Sequence, residues 1–143
     1  MSGDPPSQDP GPAARRRRRV LIVEDHPLNA KLLRDLLEAN GYETLETGDG
    51  LEALTLAREG RPDLILMDLQ LPDVSGLEVT RWLRREPGTE TTPIIAITAF
   101  AMLGDEKKAL DSGCDAYLAK PISIYRVLDT VAALLGKGAA SHQ

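Results

Sequence analysis

Three uninterrupted apolar runs limit the fold of this chain more than any other feature: Val20 to Val23, Leu64 to Met67 and Ile94 to Ile97. Successive side chains of a strand point to opposite faces, so a run without alternation suits a strand covered on both sides. Residues 42–47 alternate instead, with Tyr42, Thr44 and Glu46 on one face and Glu43, Leu45 and Thr47 on the other. That pattern suits an edge strand. Residues 116–119, AYLA, form a fifth and shorter candidate.

The intervening segments carry a helical period. Leu28, Leu32, Leu33, Leu36 and Leu37 line one side of a first helix, with Pro27 in its first turn and Gly41 at its exit. Leu51, Leu54 and Ala57 mark a second helix, and Leu77, Thr80 and Leu83 a third. Residues 104–112 predict a short, polar fourth. Ile124, Val127, Leu128, Val131, Leu134 and Leu135 predict an amphipathic last helix ending near Leu135. Five strands alternating with five helices predict an α/β fold, a doubly wound parallel sheet with helices on both faces. Right-handed crossovers and an edge position for the second strand favour the flavodoxin-like order 2-1-3-4-5.

In such a sheet, ligands bind outside the carboxyl ends of the strands. Glu24 and Asp25 follow the first apolar run, Asp68 the second and Thr98 the third, while Lys120 and Pro121 follow AYLA. Each residue alone has an ordinary explanation. Asp and Thr after strands are common helix N-caps, and a single lysine is usually a surface residue. N-capping requires neither a lysine nor two acids in tandem, so the coincidence across four strand ends favours one shared site.

Three carboxylates held together repel, and one is driven neutral unless a cation joins them. Lys120 supplies one positive charge, and a hard divalent cation closes the deficit. Mg²⁺, or Mn²⁺ in its place, takes oxygen ligands and commonly binds one or two carboxylates with a phosphate oxygen. A carboxylate is also a competent nucleophile towards phosphorus. Phosphoryl transfer depends chiefly on positioning and charge stabilisation, which metal, lysine and hydroxyl together provide.

The chain's 143 residues suffice for one domain. Residues 1–19 are rich in Pro, Gly, Ser and Arg and are expected to be a disordered tail, with the domain over 20–135 and a short flexible tail over 136–143. The net charge is −5, yet Arg15 to Arg19 outweigh Asp4 and Asp9 in the first tail. The body is therefore more acidic than the total suggests, which argues against a nucleic-acid face on it. The arginine run itself is expected to be a solvated or strand-starting feature. Cys114 is the sole cysteine and is expected to be a small buried side chain; Trp82 is expected to pack. With no intrachain disulfide possible, no apolar stretch of membrane-spanning length and no signal-peptide pattern, a cytoplasmic location is expected.

The stretches VLIVEDH, LILMDLQLPDVSG, IIAITAF and AYLAKPIS resemble, in order and spacing, the motif blocks of receiver domains of bacterial two-component response regulators, the CheY-like superfamily. The resemblance runs from about Val20 to Leu135. Longer stretches, notably KLLRDLLEANGYETLETGDGLEAL and GCDAYLAKPIS, resemble single-domain regulators of bacterial cell division and development. The resemblance implies that Asp68 accepts a phosphoryl group from a sensor histidine kinase or histidine phosphotransferase. It implies Mg²⁺ on Asp25 and Asp68, with Glu24 through water and the backbone carbonyl of Gln70. Lys120 would contact a phosphoryl oxygen, and Pro121 would follow a cis peptide bond. Thr98 and Tyr117 would form a switch pair that reshapes the face of helix 4, strand 5 and helix 5. That face and helix 1 would meet partner proteins, with the protein itself a monomer.

Further positions vary in that family. His26 is expected to be a polar residue before the first helix rather than a ligand. Gln70 and Phe100 are expected to flank the path of attacking water, with Phe100 slowing hydrolysis of the acyl phosphate. Few residues follow Leu135, so no DNA-binding or catalytic output module is expected there. The implied protein is a signalling phosphoacceptor, not an enzyme on external substrates. An aspartyl phosphatase remains an alternative, weakened by Gln70 where a second Asp would stand. An FMN carrier would need a different loop after the first strand than EDHPLN, and a degenerate scaffold would not need the full acidic set.

Overall fold

The computed structural model describes residues 17–99 and 104–140. Strands and helices alternate strictly: β1 (Arg19–Val23), α1 (Pro27–Ala39), β2 (Glu43–Thr47), α2 (Gly50–Gly60), β3 (Leu64–Asp68), α3 (Gly76–Arg84), β4 (Ile94–Thr98), α4 (Asp105–Asp111), β5 (Ala116–Ala119) and α5 (Ile124–Ala140). The sheet order is β2-β1-β3-β4-β5, with every neighbouring pair parallel. This is the doubly wound architecture and the order that the apolar runs predict.

The pleat sends alternate side chains into two separate cores. Val20, Ile22, Leu64, Leu66, Ile95 and Ile97 meet Leu33 and Leu37 of α1 and Val127 and Val131 of α5. Leu21, Val23, Ile65, Met67, Ile94 and Ala96 meet Ala53 and Ala57 of α2, Val79 and Leu83 of α3, and Ala109 of α4. Both faces of β1, β3 and β4 are thus covered, which is why these strands tolerate no alternation. β2 lies at the edge, where Tyr42 just before it and Leu45 within it pack against opposite cores.

The helices bury narrower stripes than their leucines suggest. On α1 the buried residues are Ala30, Leu33 and Leu37, while Leu28 is 72% exposed. On α2 they are Gly50, Ala53 and Ala57, small residues that let the helix approach the sheet, while Leu51 is 53% exposed. Trp82 packs at the margin of the second core. Cys114 is buried beside Thr80, and burial pushes its thiol above its usual value.

The boundaries differ from expectation in two places. Arg19 belongs to β1, because its N–H donates to Asp63 Oδ2 at 2.7 Å and its guanidinium pairs with Glu43 Oε1 at 2.8 Å. It opens the strand rather than closing the tail. α5 continues to Ala140, past the apolar stripe that ends at Leu135. Residues 136–140 contain no proline, so every residue keeps the N–H that the hydrogen-bond ladder needs, while Gly136 and Gly138 weaken the helix without ending it. Residues 1–16 and 141–143 of the expected tails lie outside the described residues, as does Phe100.

Candidate functional site

Each central strand delivers one polar group at its carboxyl end. β1 ends beside Glu24, whose backbone N–H extends the pairing with β2 by donating to Thr47 O at 2.9 Å. β3 ends on Asp68 and β4 on Thr98, both almost fully buried. Lys120 follows β5, with its backbone N–H donating to Thr98 O at 2.8 Å. The Lys120–Pro121 peptide is cis. Neither Asp25 nor Asp68 caps a helix: His26 occupies that position for α1, with no side-chain hydrogen bond, and Ser75 caps α3. The ordinary explanation of these two acids therefore does not apply.

Carboxylate oxygens of Glu24, Asp25 and Asp68 lie within 4.8 Å of one another. Lys120 Nζ stands 3.1 Å from Glu24 Oε1 and 3.2 Å from Asp68 Oδ2. Asp68 Oδ1 accepts from Gln70 N–H at 2.9 Å, and Glu24 Oε2 from His26 N–H at 3.0 Å. Burial, aided by the charge of Asp68, pushes the Glu24 carboxyl above its usual value, while the His26 N–H and Lys120 pull back less strongly. Burial also pulls the Lys120 ammonium down, but the hydrogen bond to Glu24 and the charges of Asp68 and Glu24 outweigh it and leave Lys120 raised. Lys120 is therefore charged at neutral pH.

Glu24 Oε1 is buried and accepts no well-directed hydrogen bond among the described residues. An underserved acceptor beside two further carboxylates and one lysine suits a hard, oxygen-seeking divalent cation. Asp25 is exposed and open towards solvent, as a ligand shared with water requires. His26 does not join the acidic cluster.

Two features position Asp68. A Cβ placed on Gly76 would fall 2.3 Å from Asp68 O and 2.9 Å from Leu69 Cα, so only glycine lets α3 begin this close to the end of β3. Asp73 then ties the same loop to α2: its carboxylate accepts from Gly50 N–H at 2.9 Å and Leu51 N–H at 3.0 Å. No residue pattern signals that link, because the partners are far apart in sequence.

The side chain of Gln70 is the other contact that sequence reading misses. It spans to β4 and bonds both Thr98 and Ala99. Tyr117, on β5, packs against the second core with its hydroxyl buried and without a hydrogen-bond partner among the described residues. Burial first, then the charges of Asp105 and Glu106, raises its ionisation above the usual tyrosine value.

A family model for the response regulator receiver domain matches residues 20–132. A polar-differentiation response regulator DivK of Brucella anthropi is 61% identical over 117 residues, covering 82% of this chain and 95% of that protein. Its counterpart in Brucella ovis is 60% identical over the same shares. Among solved structures, a putative response regulator from Chloroflexus aurantiacus superposes with a TM-score of 0.80 at 30% identity, covering 84% of this chain and 98% of that one. The receiver domain of a sensor histidine kinase from Pseudomonas aeruginosa, with a magnesium ion coordinated in its active-site cleft, gives 0.78 at 35% identity over 84% and 98%. Receiver domains bind Mg²⁺ in an acidic pocket, and the acidic cluster here has that composition. With its sheet order, its acidic cluster and its lysine in agreement with the family match, the chain belongs to the receiver-domain family of response regulators.

Proposed function

We propose that Asp68 is the phosphoacceptor of a phosphorelay. The observation that carries this reading is the convergence of the buried Asp68 carboxylate with Lys120, 3.2 Å away, and with the carboxylates of Glu24 and Asp25. An oxygen of Asp68 attacks the phosphorus of a phosphohistidine on a sensor kinase or histidine phosphotransferase. The O–P bond forms as the P–N bond breaks, and the imidazole nitrogen leaves with the electron pair and takes up a proton. Lys120 holds a phosphoryl oxygen and balances charge as it moves onto Asp68. Water later attacks phosphorus, restoring the carboxylate and releasing phosphate.

Glu24, Asp25, Asp68 and the backbone carbonyl of Gln70 are the groups that would hold Mg²⁺ or Mn²⁺. Such an ion, when bound, supplies charge neutralisation for the phosphoryl oxygens. Thr98 and Tyr117 carry the change outward, the hydroxyl towards the phosphoryl group and the ring inward. The Tyr117 hydroxyl, buried and without a partner among the described residues, supports a side chain that gains from a second position. Output then runs through protein contact on the face of α4, β5 and α5, and the donor docks on α1, where Leu28 and Leu32 are exposed. The protein acts as a monomer in the cytoplasm, where phosphohistidine donors draw on ATP. The names of the DivK relatives support a role in cell division or polar development. Phe100 is the residue we assign to slowing hydrolysis, tested by phosphate release from Phe100→Glu.

The deciding experiment is labelling by acetyl phosphate with and without Mg²⁺, on wild type and Asp68→Asn. Labelling that needs Mg²⁺ and vanishes with the substitution is expected. Labelling that survives either change overturns the assignment.

A further inference from the structure

Gln70 touches both ends of the device. Its backbone N–H donates to Asp68 Oδ1 at 2.9 Å. Its side chain crosses to β4, where Oε1 accepts from Ala99 N–H at 3.1 Å and Nε2 donates to Thr98 Oγ1 at 2.6 Å. The direction of the last bond follows from the one before it. A backbone N–H only donates, so the amide oxygen has to face Ala99. The NH₂ group is then left facing Thr98, and the threonine oxygen is the acceptor.

We propose that this amide is a latch on Thr98, holding the hydroxyl at the end of β4 while Asp68 is bare and releasing it when Asp68 carries a phosphoryl group. The inference rests on Asp68 being the phosphoacceptor, and it adds which residue sets the balance between the two forms. A phosphoryl oxygen is a charged acceptor and draws a hydroxyl donor more strongly than a neutral group does. For Thr98 to answer it, the side chain rotates to another staggered well. Its oxygen then leaves Gln70 Nε2, and the amide is left holding Ala99 alone. The bond lost is a neutral one, and its net worth corresponds to about three- to tenfold in the population of the released form. Gln70 is thus a positioning residue: it acts on Asp68 through its backbone and on Thr98 through its side chain. Its effect is on the resting state, which is distinct from any effect on the path of water.

The test uses beryllofluoride, which binds a carboxylate in place of a phosphoryl group, at saturating Mg²⁺. Affinity is followed by titration, and the position of Thr98 by its methyl resonance. Gln70→Met keeps the length of the side chain and removes both bonds, while the backbone groups of residue 70 remain. It is expected to bind about three- to tenfold more tightly than wild type. Its Thr98 methyl resonance, with nothing bound, is expected to lie part of the way towards that of liganded wild type. Gln70→Glu can accept from both Ala99 N–H and the Thr98 hydroxyl, and is expected not to tighten. If wild type binds but Gln70→Met binds equally or more weakly, or its free Thr98 resonance stays on the wild-type position, the latch is overturned and the acceptor reading stands. If wild type fails to bind, or Asp68→Asn binds as well as wild type, the acceptor reading falls and the latch falls with it.

Discussion

Lys120 Nζ stands 3.2 Å from Asp68 Oδ2, although the two lie 52 positions apart in the chain. The ammonium is shared with Glu24 and raised by both partners despite its burial, so it is a fixed charge aimed at Asp68. Replacing it with methionine keeps the volume and removes the charge. Lys120→Met should slow labelling by acetyl phosphate roughly 10²-fold, the scale of losing one aimed charge at a transferring group. Because the folded value is raised, the charge is fully present below the ordinary lysine value of 10.5 and is lost only as the pH climbs through the higher folded value. Labelling rates that fall already near pH 9, with the fold intact, would contradict this.

Gly76→Ala forces a Cβ to within 2.3 Å of Asp68 O unless α3 retreats. The expected cost is about 1–3 kcal/mol of stability, measured by urea unfolding. A shift of α3 displaces Asp68, so labelling should fall in protein that is still folded. An alanine variant with wild-type stability would show that α3 is free to shift at no cost.

Asp73 is expected to contribute to the pH dependence of stability in acid. Its carboxyl is held well below the usual carboxylate range, first by the neighbouring Asp49 carboxyl and then by the N–H groups of Gly50 and Leu51. A depressed folded value contributes stability above the ordinary 3.8, and that contribution is lost as the pH falls towards the folded value. Asp73→Asn should therefore be less stable than wild type at neutral pH, and the two urea midpoints should converge below pH 3.8. Midpoints that stay parallel into acid would remove the carboxylate from this role.

Leu28 is 72% exposed one helical residue beyond Pro27, two positions after His26, whose N–H donates to Glu24. A large exposed leucine there suits contact with a donor protein. Leu28→Glu should fold normally and label normally with acetyl phosphate, yet accept phosphate from a histidine donor about tenfold more slowly, the scale of losing one interface anchor. Equal loss with both donors would place the defect in the site rather than in docking.

The strands were legible because Val20 to Val23, Leu64 to Met67 and Ile94 to Ile97 have no polar side to offer, and a sheet covered on both faces is what such runs require. The acids, Thr98 and Lys120 were legible from their place at the ends of those runs. The exposure of Leu28 and Leu51 was not, because helical period marks a stripe without saying which edge of it the sheet covers. Nor was the reach of Gln70 to Thr98, or of Asp73 to Gly50. Each joins residues on different elements through one side chain, and no local pattern encodes such a distance. Arg19 falls between these cases: it reads as the end of a charged run, and only its partners Asp63 and Glu43 draw it into β1.

The site draws Glu24 from the first strand's end and Lys120 from the fifth's, so nearly the whole domain separates its outermost members. A ribosome that has made everything up to β4 has made all three carboxylates of the pocket and none of its cation. A protease that clips the chain before Lys120 leaves a crowd of carboxylates that repel. On the proposed reading of Asp68 as the phosphoacceptor, efficient labelling waits until β5 has placed Lys120 beside it, so incomplete copies are expected to respond poorly.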